Sequence, residues 1–186
     1  GALMASVEGG SGPIESRELK GLVADAFHAG SEYARAMDAV LGERARALVI
    51  GDMSCASRIA SWLRDGERGT CALALDKGFG AAADLDPIGA ASRLGTLGAL
   101  IEHVRVDAGC EGLLRALLGD VLLVESVEAG LGVLARERGW RCVTQAGELV
   151  DARGLIVGER GLTQGMVGRR ARIDAIGRAH AVTPVT

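Results

Sequence analysis

Residues 147–159 read GELVDARGLIVGE, a stretch in which Gly147, Gly154 and Gly158 stand at fixed offsets within a pattern of strand, turn and strand. Glycine at such positions indicates special backbone geometry or the close approach of a second backbone. With 28 glycines among 186 residues, however, three glycines at set offsets are easily produced by chance. The interpretation of this stretch therefore depends on the sequence around it.

The composition indicates one globular domain with a sizeable core. Of the 186 residues, 48% are hydrophobic, and a chain of this length buries roughly 70% of its unfolded surface. Charged residues make up 24% and the formal net charge is -3, so there is no global basic excess of the kind that indicates nucleic-acid binding. Aromatic residues make up 3% and leave little material for base-stacking platforms. Any anion-binding surface is therefore expected to be local.

The sequence predicts no metal site, no cofactor and no membrane partner. The cysteines Cys55, Cys71, Cys110 and Cys142 are scattered without a CxxC pair, and there are only three histidines to join them. We interpret the cysteines as small buried hydrophobic residues of a reduced cytosolic protein. No apolar run reaches about 18 residues and no secretory signal pattern occurs, which predicts a cytoplasmic location. Residues 1–12 are interpreted as a cloning remnant and flexible lead.

Two halves of the chain have the same order of predicted elements. Residues 39–76 and residues 116–147 each predict a helix end, a strand, a helix and a second strand, which indicates an internal duplication. The first strands, 47–50 and 121–124, are continuous apolar runs typical of strands buried on both faces of an α/β layer. Between the halves, residues 78–91 have the glycine, alanine and proline content of a surface linker.

Each half contains a helix with a predicted cap and one apolar face. Ser54 is the predicted cap of the first helix and Ser126 of the second, and the helices are predicted to stop at Gly66 and Gly139. The predicted apolar faces are Ala56, Ile59, Ala60 and Leu63 in the first helix and Val127, Leu131 and Leu134 in the second.

Five segments in a fixed order carry a resemblance to a known family. They are GLVAD at 21–25, AVLGERARALVI at 39–50, GTLGALIEHVRVD at 95–107, ALLGDVLLVES at 116–126 and VTQAGELVDARGLIVGE at 143–159. In this combination the chain resembles the hinge domain of SMC (structural maintenance of chromosomes) proteins, most closely the bacterial condensin type. The resemblance implies a mixed α/β (α+β) hinge fold with two pseudo-repeated lobes, each of strands and packed helices, that forms a ring-shaped dimer.

The resemblance also divides the chain. It implies lobe 1 at residues 21–77, a linker at 78–94 and lobe 2 at 95–168, with coiled-coil roots at 13–20 and at 169–186, where the chain also ends in a tail. The coils would lead toward ATPase heads outside this chain, and a kleisin and accessory subunits would bind only those absent parts. No heptad repeat is visible in either root, because both are too short to establish one.

The family's glycine signature identifies the predicted dimer interface. In the family, glycines at these offsets lie where two hinges meet, and a missing side chain lets strands of two chains pair edge to edge. The predicted interface residues are Gly147, Gly154, Leu155, Val157, Gly158 and Glu159. Glu159 stands where the family has glycine, and a charge on an edge strand discourages pairing, so one contact could be weakened. The alternative is that these are turn glycines of a monomer.

Catalytic motifs are missing from the sequence. A phosphate-binding GxxxxGK[ST] loop is excluded because Lys20 and Lys77 are each followed by glycine. Residues 78–80, GFG, lack the third glycine of a dinucleotide fingerprint, and no GxSxG element surrounds a serine. The domain is therefore predicted not to be an enzyme, with no catalytic residues, although the full-length protein it resembles would be an ATPase.

A basic surface near the chain ends is the remaining functional candidate. The predicted DNA-binding residues are Arg17, Lys20, Arg160, Arg169, Arg170, Arg172 and Arg178. Guanidinium groups there would hold the phosphate backbone of double- or single-stranded DNA without reading its sequence, as is associated with SMC hinges of this type. Acidic residues interspersed among them, such as Glu15 and Glu18, weaken the local field.

Three functions remain open from the sequence. The first is a homodimerising hinge of a chromosome-condensing and segregating SMC ATPase in the nucleoid, with non-specific DNA contact. The second is dimerisation without DNA contact, and the third is an unrelated small-molecule α/β enzyme.

Overall fold

The fold is described from a computed structural model, which covers residues 3, 6, 7, 9, 10, 12–77 and 85–156. The strands are β1 Leu19–Leu22, β2 Phe27–Ala29, β3 Leu48–Ile50, β4 Leu73–Leu75, β5 Gly98–Ala99, β6 Val104–Val106, β7 Val121–Leu123, β8 Arg141–Val143, β9 Leu149–Asp151 and β10 Gly154–Ile156. The α-helices are α1 Val23–Ala26, α2 Ala34–Leu41, α3 Met53–Asp65, α4 Pro87–Leu94, α5 Glu111–Leu118 and α6 Val127–Arg136. Helices and strands alternate from β1 to β5, whereas β8, β9 and β10 follow one another without a helix between them.

Each lobe is built on one sheet. In lobe 1 the strand order is β1-β3-β4, with β1 antiparallel and β4 parallel to β3. In lobe 2 the order is β10-β9-β8-β7-β5, in which β7 and β8 are parallel and the other neighbours are antiparallel. The parallel pairs are β3-α3-β4 and β7-α6-β8, so the duplicated strand, helix and strand predicted from the sequence are present in both lobes.

The duplication extends upstream of these units and produces the seam between the lobes. Gly21 and Gly98 both have positive φ (101° and 136°), and each precedes a short helical turn and then a short strand. These two strands, β2 and β6, pair antiparallel with His28 opposite Arg105 at the centre. One buried cluster continues through the seam, from Val23, Met37 and Val49 of lobe 1 to residues of lobe 2 such as Leu118 and Val143.

Burial agrees with the pattern of continuous apolar strands. In β7 the alternate residues Val121 and Leu123 face the cluster that joins the lobes, whereas Leu122 faces a second cluster under α4 and α6. In β3, Val49 faces the joining cluster, and Leu48 and Ile50 face a third cluster under α3. Both first strands are therefore buried on both faces, as expected for parallel strands covered by helices.

Helix boundaries differ from the sequence prediction at two points. Helix α3 begins two residues earlier than expected, because the Asp52 carboxylate, rather than Ser54, accepts a bond from the Cys55 backbone N–H at 2.9 Å. Ser126 does cap α6, accepting from the Ala129 N–H at 3.2 Å. Helix α3 ends against Gly66 as predicted, but α6 ends at Arg136, three residues before Gly139.

The apolar faces also differ in detail. Ala60 on α3 is exposed, and Leu131 on α6 is 51% exposed. The residues that α6 turns inward are Gly130, Val133 and Leu134, because the small Gly130 lies directly against the sheet.

Two predicted segments have more regular structure than the sequence indicated. The predicted linker 78–94 contains α4, whose N-cap Asp86 bonds the Gly89 N–H and whose Ala90 and Leu94 are buried on the lobe 2 sheet. The predicted coiled-coil root 13–20 forms a 3-10 turn at Ser16–Glu18 and then enters β1. In both segments, packing on a sheet determines the local conformation.

Candidate dimer edges and basic surfaces

The signature stretch forms a hairpin at the end of the lobe 2 sheet. Strands β9 and β10 are joined by a tight turn in which Asp151 lies opposite Gly154. The Asp151 carboxylate accepts bonds from the Arg153 backbone N–H at 2.7 Å and from its guanidinium, which lowers the pKa of Asp151. Gly154 has φ 154°, a conformation that favours glycine. The side of β10 that faces away from β9 is unpaired by any described strand, and we call it the β10 edge.

The predicted interface residues are distributed unevenly over this hairpin. Gly154 and Leu155 lie in β10, with Leu155 opposite Val150. Gly147 lies before β9 at φ 91°, where a Cβ would stand 3.0 Å from the Arg35 carbonyl oxygen of lobe 1. The structure thus gives Gly147 a reason within the chain: it allows lobe 2 to approach α2. Val157, Gly158 and Glu159 lie outside the described residues, and their place at the interface stays a prediction.

A second candidate edge, which the sequence interpretation missed, lies in lobe 1. Leu48 donates its N–H to the Ala72 carbonyl and Asp76 donates to the Ile50 carbonyl at 2.9 Å each, so alternate residues of β4 face β3. The backbone groups of Leu73 and Leu75 therefore face away from β3, and we call this the β4 edge. Both leucine side chains are only half-buried. The available signal in the sequence was that lobe 1 continues after β4 into residues 78–91, whereas lobe 2 continues after β8 into another hairpin.

The other outer edges of the three-stranded and five-stranded sheets, at β1 and β5, are less regular. Strand β1 changes register between Leu19 and Leu22, and β5 has only two residues. A regular strand edge of three residues is what an incoming strand needs for a ladder of backbone hydrogen bonds. The β4 edge and the β10 edge are therefore the candidates for pairing with another chain.

The predicted basic surface is only partly within the described residues. Arg17 is exposed and pairs with Glu15 at 2.8 Å. Lys20 is instead paired with the buried Asp76 at 2.8 Å, and this bond raises the pKa of Lys20. The other predicted DNA-binding residues, Arg160, Arg169, Arg170, Arg172 and Arg178, lie outside the described residues. Lys20 thus has a structural role at the end of β4, which reduces its availability for a phosphate.

The buried acid beside Lys20 is incompletely satisfied. Asp76 is 5% exposed, one of its oxygens binds Lys20, and its Oδ1 has no hydrogen-bond partner among the described residues. Its backbone carbonyl accepts from the Leu113 N–H at 3.0 Å, so the end of β4 is fastened to α5 of the other lobe.

The cysteines follow their prediction with one exception. Cys55, Cys110 and Cys142 are buried, and burial raises the pKa of the Cys142 thiol to about 11. Cys71, immediately before β4, is exposed. Within the described part of the chain, no cluster of histidine, cysteine and acidic side chains could hold a metal ion. No helix formed by those residues is long and apolar enough to cross a membrane.

Comparison with known proteins identifies the class. The family model for the flexible hinge domain of SMC proteins matches residues 16–134, so the chain belongs to the SMC hinge family. It is similar to the chromosome partition protein Smc of Rhodopirellula baltica, with 28% identity over 167 residues. That match covers 86% of this chain, but the chain spans only 13% of the Rhodopirellula protein.

Solved structures show the same fold. The hinge domain of Geobacillus stearothermophilus SMC, solved as an asymmetric dimer, superposes with a TM-score of 0.73 at 18% identity, over 87% of this chain and 66% of that one. The hinge domain of the Pyrococcus furiosus SMC protein gives 0.64 at 24% identity, over 87% of this chain and 83% of that one. The mixed α/β hinge fold implied by the sequence resemblance is confirmed.

Proposed function

We propose that this chain is the dimerisation hinge of a chromosome-partitioning SMC protein and that two copies join by pairing the β10 edge of one with the β4 edge of the other. The observation that carries the proposal is a pair of strand edges, one in each lobe, that no described strand covers, in sheets built from the same duplicated unit. The relative from Geobacillus is a dimer of the same fold.

The topology makes such an assembly closed. If β4 of one copy binds β10 of its partner, a two-fold axis generates the reciprocal contact from the same two surfaces. Each contact joins a three-stranded sheet to a five-stranded sheet in the order β1-β3-β4-β10-β9-β8-β7-β5. Two such contacts give a ring of two chains with both edges of both copies covered, which removes the edges as sites of aggregation.

Sedimentation velocity tests the dimer directly. The wild-type chain is expected to be a dimer at tens of micromolar, and Gly154→Val and Gly158→Val are expected to raise its dissociation constant at least about tenfold. Leu75→Pro removes an outward N–H of the β4 edge without taking a bond from β3, and should have the same effect. Gly132→Val is the matched control, since Gly132 is exposed on α6 with nothing near its Cβ position.

Mixing the variants tests which edges meet. In a homodimer of either Leu75→Pro or Gly154→Val, both contacts contain a substituted edge. In a mixed dimer, the unchanged β10 edge of the Leu75→Pro chain can still pair with the unchanged β4 edge of the Gly154→Val chain. Dimer should therefore reappear when the two variants are mixed. A strictly monomeric wild type, or a fully dimeric Gly154→Val, Gly158→Val double variant, would show the proposal to be wrong.

A DNA contact near the chain ends is a second proposal, supported by the charge of residues 160–178 and the exposed Arg17. Non-specific binding of this kind weakens steeply with salt. Changing Arg169, Arg170 and Arg172 to Glu should abolish it, and unchanged affinity for a short duplex would refute it. A role in chromosome condensation and segregation in the cytoplasmic nucleoid, coupled to ATPase heads and a kleisin, is proposed only for a full-length protein.

A further inference from the structure

An arginine-lined groove lies at the base of lobe 2, and neither the family resemblance nor the proposed dimer assigns it a role. We call it the arginine groove and define it by Arg44, Arg138, Arg141 and Arg153. Its volume is about 390 Å³, within the range of small-ligand sites, and it continues along Arg44 and Arg153 to a neighbouring depression beside Gly154. The four arginines lie in four different parts of the chain. Arg44 is in the turn before β3, Arg138 in the α6–β8 turn, Arg141 at the start of β8 and Arg153 in the β9–β10 turn.

Two of the arginines form the fixed wall of the groove. Arg141 is 13% exposed, and it forms a two-pronged ion pair with Asp120, its Nε donating to Oδ2 at 2.8 Å. A terminal guanidinium nitrogen of Arg141 also donates to the Leu117 carbonyl, so the side chain is bound to both Asp120 and Leu117. Arg153 is held by Asp151 through its Nε and a terminal nitrogen at 3.1 Å and 2.7 Å. The largely buried Arg141 pair holds its guanidinium plane in place, which lowers the entropy cost of binding a ligand, whereas the 77% exposed Arg153 side chain pairs at the rim.

The other two arginines supply unneutralised charge. Arg44 and Arg138 are exposed, and neither has a side-chain hydrogen bond or an ion pair with any residue that the structure describes. The carboxylates lining the groove are Asp120 and Asp151, so four guanidinium groups face two carboxylates and the net lining charge is +2. In a chain of net charge -3, this is a local positive surface.

We propose that the arginine groove binds a phosphate group. The guanidinium fork matches phosphate oxygens in a bidentate geometry, and arginine is preferred over lysine where such geometry matters. Arg44 and Arg138 would each bind phosphate oxygens, while the paired Arg141 and Arg153 fix the shape of the wall. The same chemistry suits a phosphodiester of a nucleic-acid backbone or a free phosphate compound, and the experiment below separates these sources.

The groove lies apart from Arg17 and Lys20, the described residues of the basic surface predicted at the chain ends. Strand β1 runs antiparallel to β3 with Leu19 opposite Ile50, which places Lys20 near the carboxyl end of β3. Arg44 precedes β3 and lies at its amino end. A ligand in the groove would therefore contact a different end of lobe 1 from a ligand at Arg17 and Lys20. The proposal stands whether or not the hinge dimerises.

A charge-matched pair of double variants tests the proposal. Arg44→Ala with Arg138→Ala removes the two unpaired arginines of the groove. Arg64→Ala with Arg105→Ala removes two exposed arginines elsewhere, one on α3 and one on β6. Both double variants have the same net charge, so a general electrostatic effect would move them equally. Sedimentation and thermal unfolding on both confirm that fold and oligomeric state are unchanged.

Two probes distinguish the sources of phosphate. A fluorescein-labelled short DNA duplex is titrated by anisotropy at several salt concentrations, and pyrophosphate is titrated by amide NMR. If a DNA backbone occupies the groove, the groove variant should bind the duplex about tenfold more weakly, with a log–log salt slope lower by about 2, and the control should not.

If the ligand is a free phosphate compound, duplex affinity will be equal in the two double variants. Pyrophosphate will then shift the amides of residues 44, 138 and 139 in the wild type and the control but not in the groove variant. Either result supports the groove. Equal behaviour of the two double variants toward both probes would overturn the proposal.

Discussion

The two lobes share a strand-helix-strand unit but end it differently. In lobe 2 the second parallel strand, β8, is followed by the β9–β10 hairpin, which covers it, and Cys142 and Val143 are fully buried. In lobe 1 the equivalent strand, β4, is the last described strand of its sheet, and its residues are only half-buried. Among the described strands, one copy of the unit thus ends in an edge strand, and the other is extended by a hairpin whose outer side is unpaired. This difference between duplicated lobes provides two unlike edges from one ancestral unit.

The difference also determines how each strand end is satisfied. Both second strands are followed by a buried polar residue, Asp76 in lobe 1 and Thr144 in lobe 2. The Thr144 hydroxyl bonds Glu148 through the carboxylate at 3.0 Å and the backbone N–H at 3.1 Å, within the turn to β9. No described residue forms an equivalent turn after β4, and Asp76 binds Lys20 of β1 instead.

Two glycine contacts between the lobes are related by approximate symmetry. Substitutions at these glycines are expected to have the largest effect on stability. After β4, Lys77 packs on Gly112 of α5; after β8, Gly147 packs on Arg35 of α2, at the equivalent helix position. A Cβ on Gly112 would lie 2.6 Å from the Lys77 carbonyl carbon. Because that neighbour is backbone, it cannot rotate away. Gly112→Val and Gly147→Val are therefore each expected to lower the free energy of unfolding by about 3 kcal/mol in urea titrations.

Gly132→Val is the control for this comparison, since its Cβ would meet nothing. If valine at Gly112 or at Gly147 lowers the free energy of unfolding by less than about 1 kcal/mol, the Gly112–Lys77 and Gly147–Arg35 contacts are not equivalent. The lobes would then pack tightly at one of these two contacts only.

The helix on each sheet gives a second, smaller contrast. Four residues after the N-cap, α6 has Gly130 where α3 has Ala56. A Cβ at Gly130 would lie 2.6 Å from Cγ1 of Val150 on β9. Gly130→Ala should therefore destabilise by about 1–2 kcal/mol despite the better helix propensity of alanine, and adding Val150→Ala should recover part of the loss. No recovery in the double variant would mean that the strain lies elsewhere. Ala56→Gly in lobe 1 should cost only about 1 kcal/mol.

Gly130 also shows why the sequence predicted the duplication but not its details. Apolar periodicity identified both parallel units correctly, because burial on two faces leaves a continuous apolar run. It assigned Leu131 to the inner face of α6, however, because a hydrophobicity pattern does not indicate whether a glycine is buried or exposed. The inner face is instead set by close approach to Val150, a contact between residues 20 positions apart. Similarly, the helix cap shifted from Ser54 to Asp52 because both are good caps two residues apart.

The candidate sites differ in how much local signal they carry. Gly154 could be named from the sequence because the family spacing is local. The β4 edge follows from the order of the described strands, in which β4 pairs only with β3, and no local sequence pattern indicates it. The arginine groove unites Arg44 with Arg138 and Arg153, which are about a hundred residues apart, and no spacing rule connects them.

The smallest predicted effect concerns two carboxylate ion pairs, Glu18 with Arg58 and Glu137 with Arg93, which we call acid clasps. Glu18 is held by Arg58 at 2.5 Å, and this bond, with the Glu15 N–H, lowers the pKa of Glu18 to about 2. In lobe 2 the Trp140 indole and Arg93 lower the pKa of Glu137. A carboxyl whose pKa is lower in the folded state stabilises the fold above its unfolded pKa of 4.5, and this contribution disappears as the pH falls toward 2.

Glu18→Gln should therefore lower stability at pH 7, and its difference from wild type should shrink as the pH falls toward 2, where the Glu18 carboxyl begins to be protonated in the folded state. The Glu18 clasp joins the segment entering β1 to α3, whereas the Glu137 clasp joins two helices already packed on one cluster. Glu18→Gln should therefore reduce the pH dependence of the unfolding free energy more than Glu137→Gln does. Urea unfolding of both variants from pH 7 down to pH 2 measures the difference, and an equal pH slope in wild type and Glu18→Gln would show that this clasp does not couple to folding.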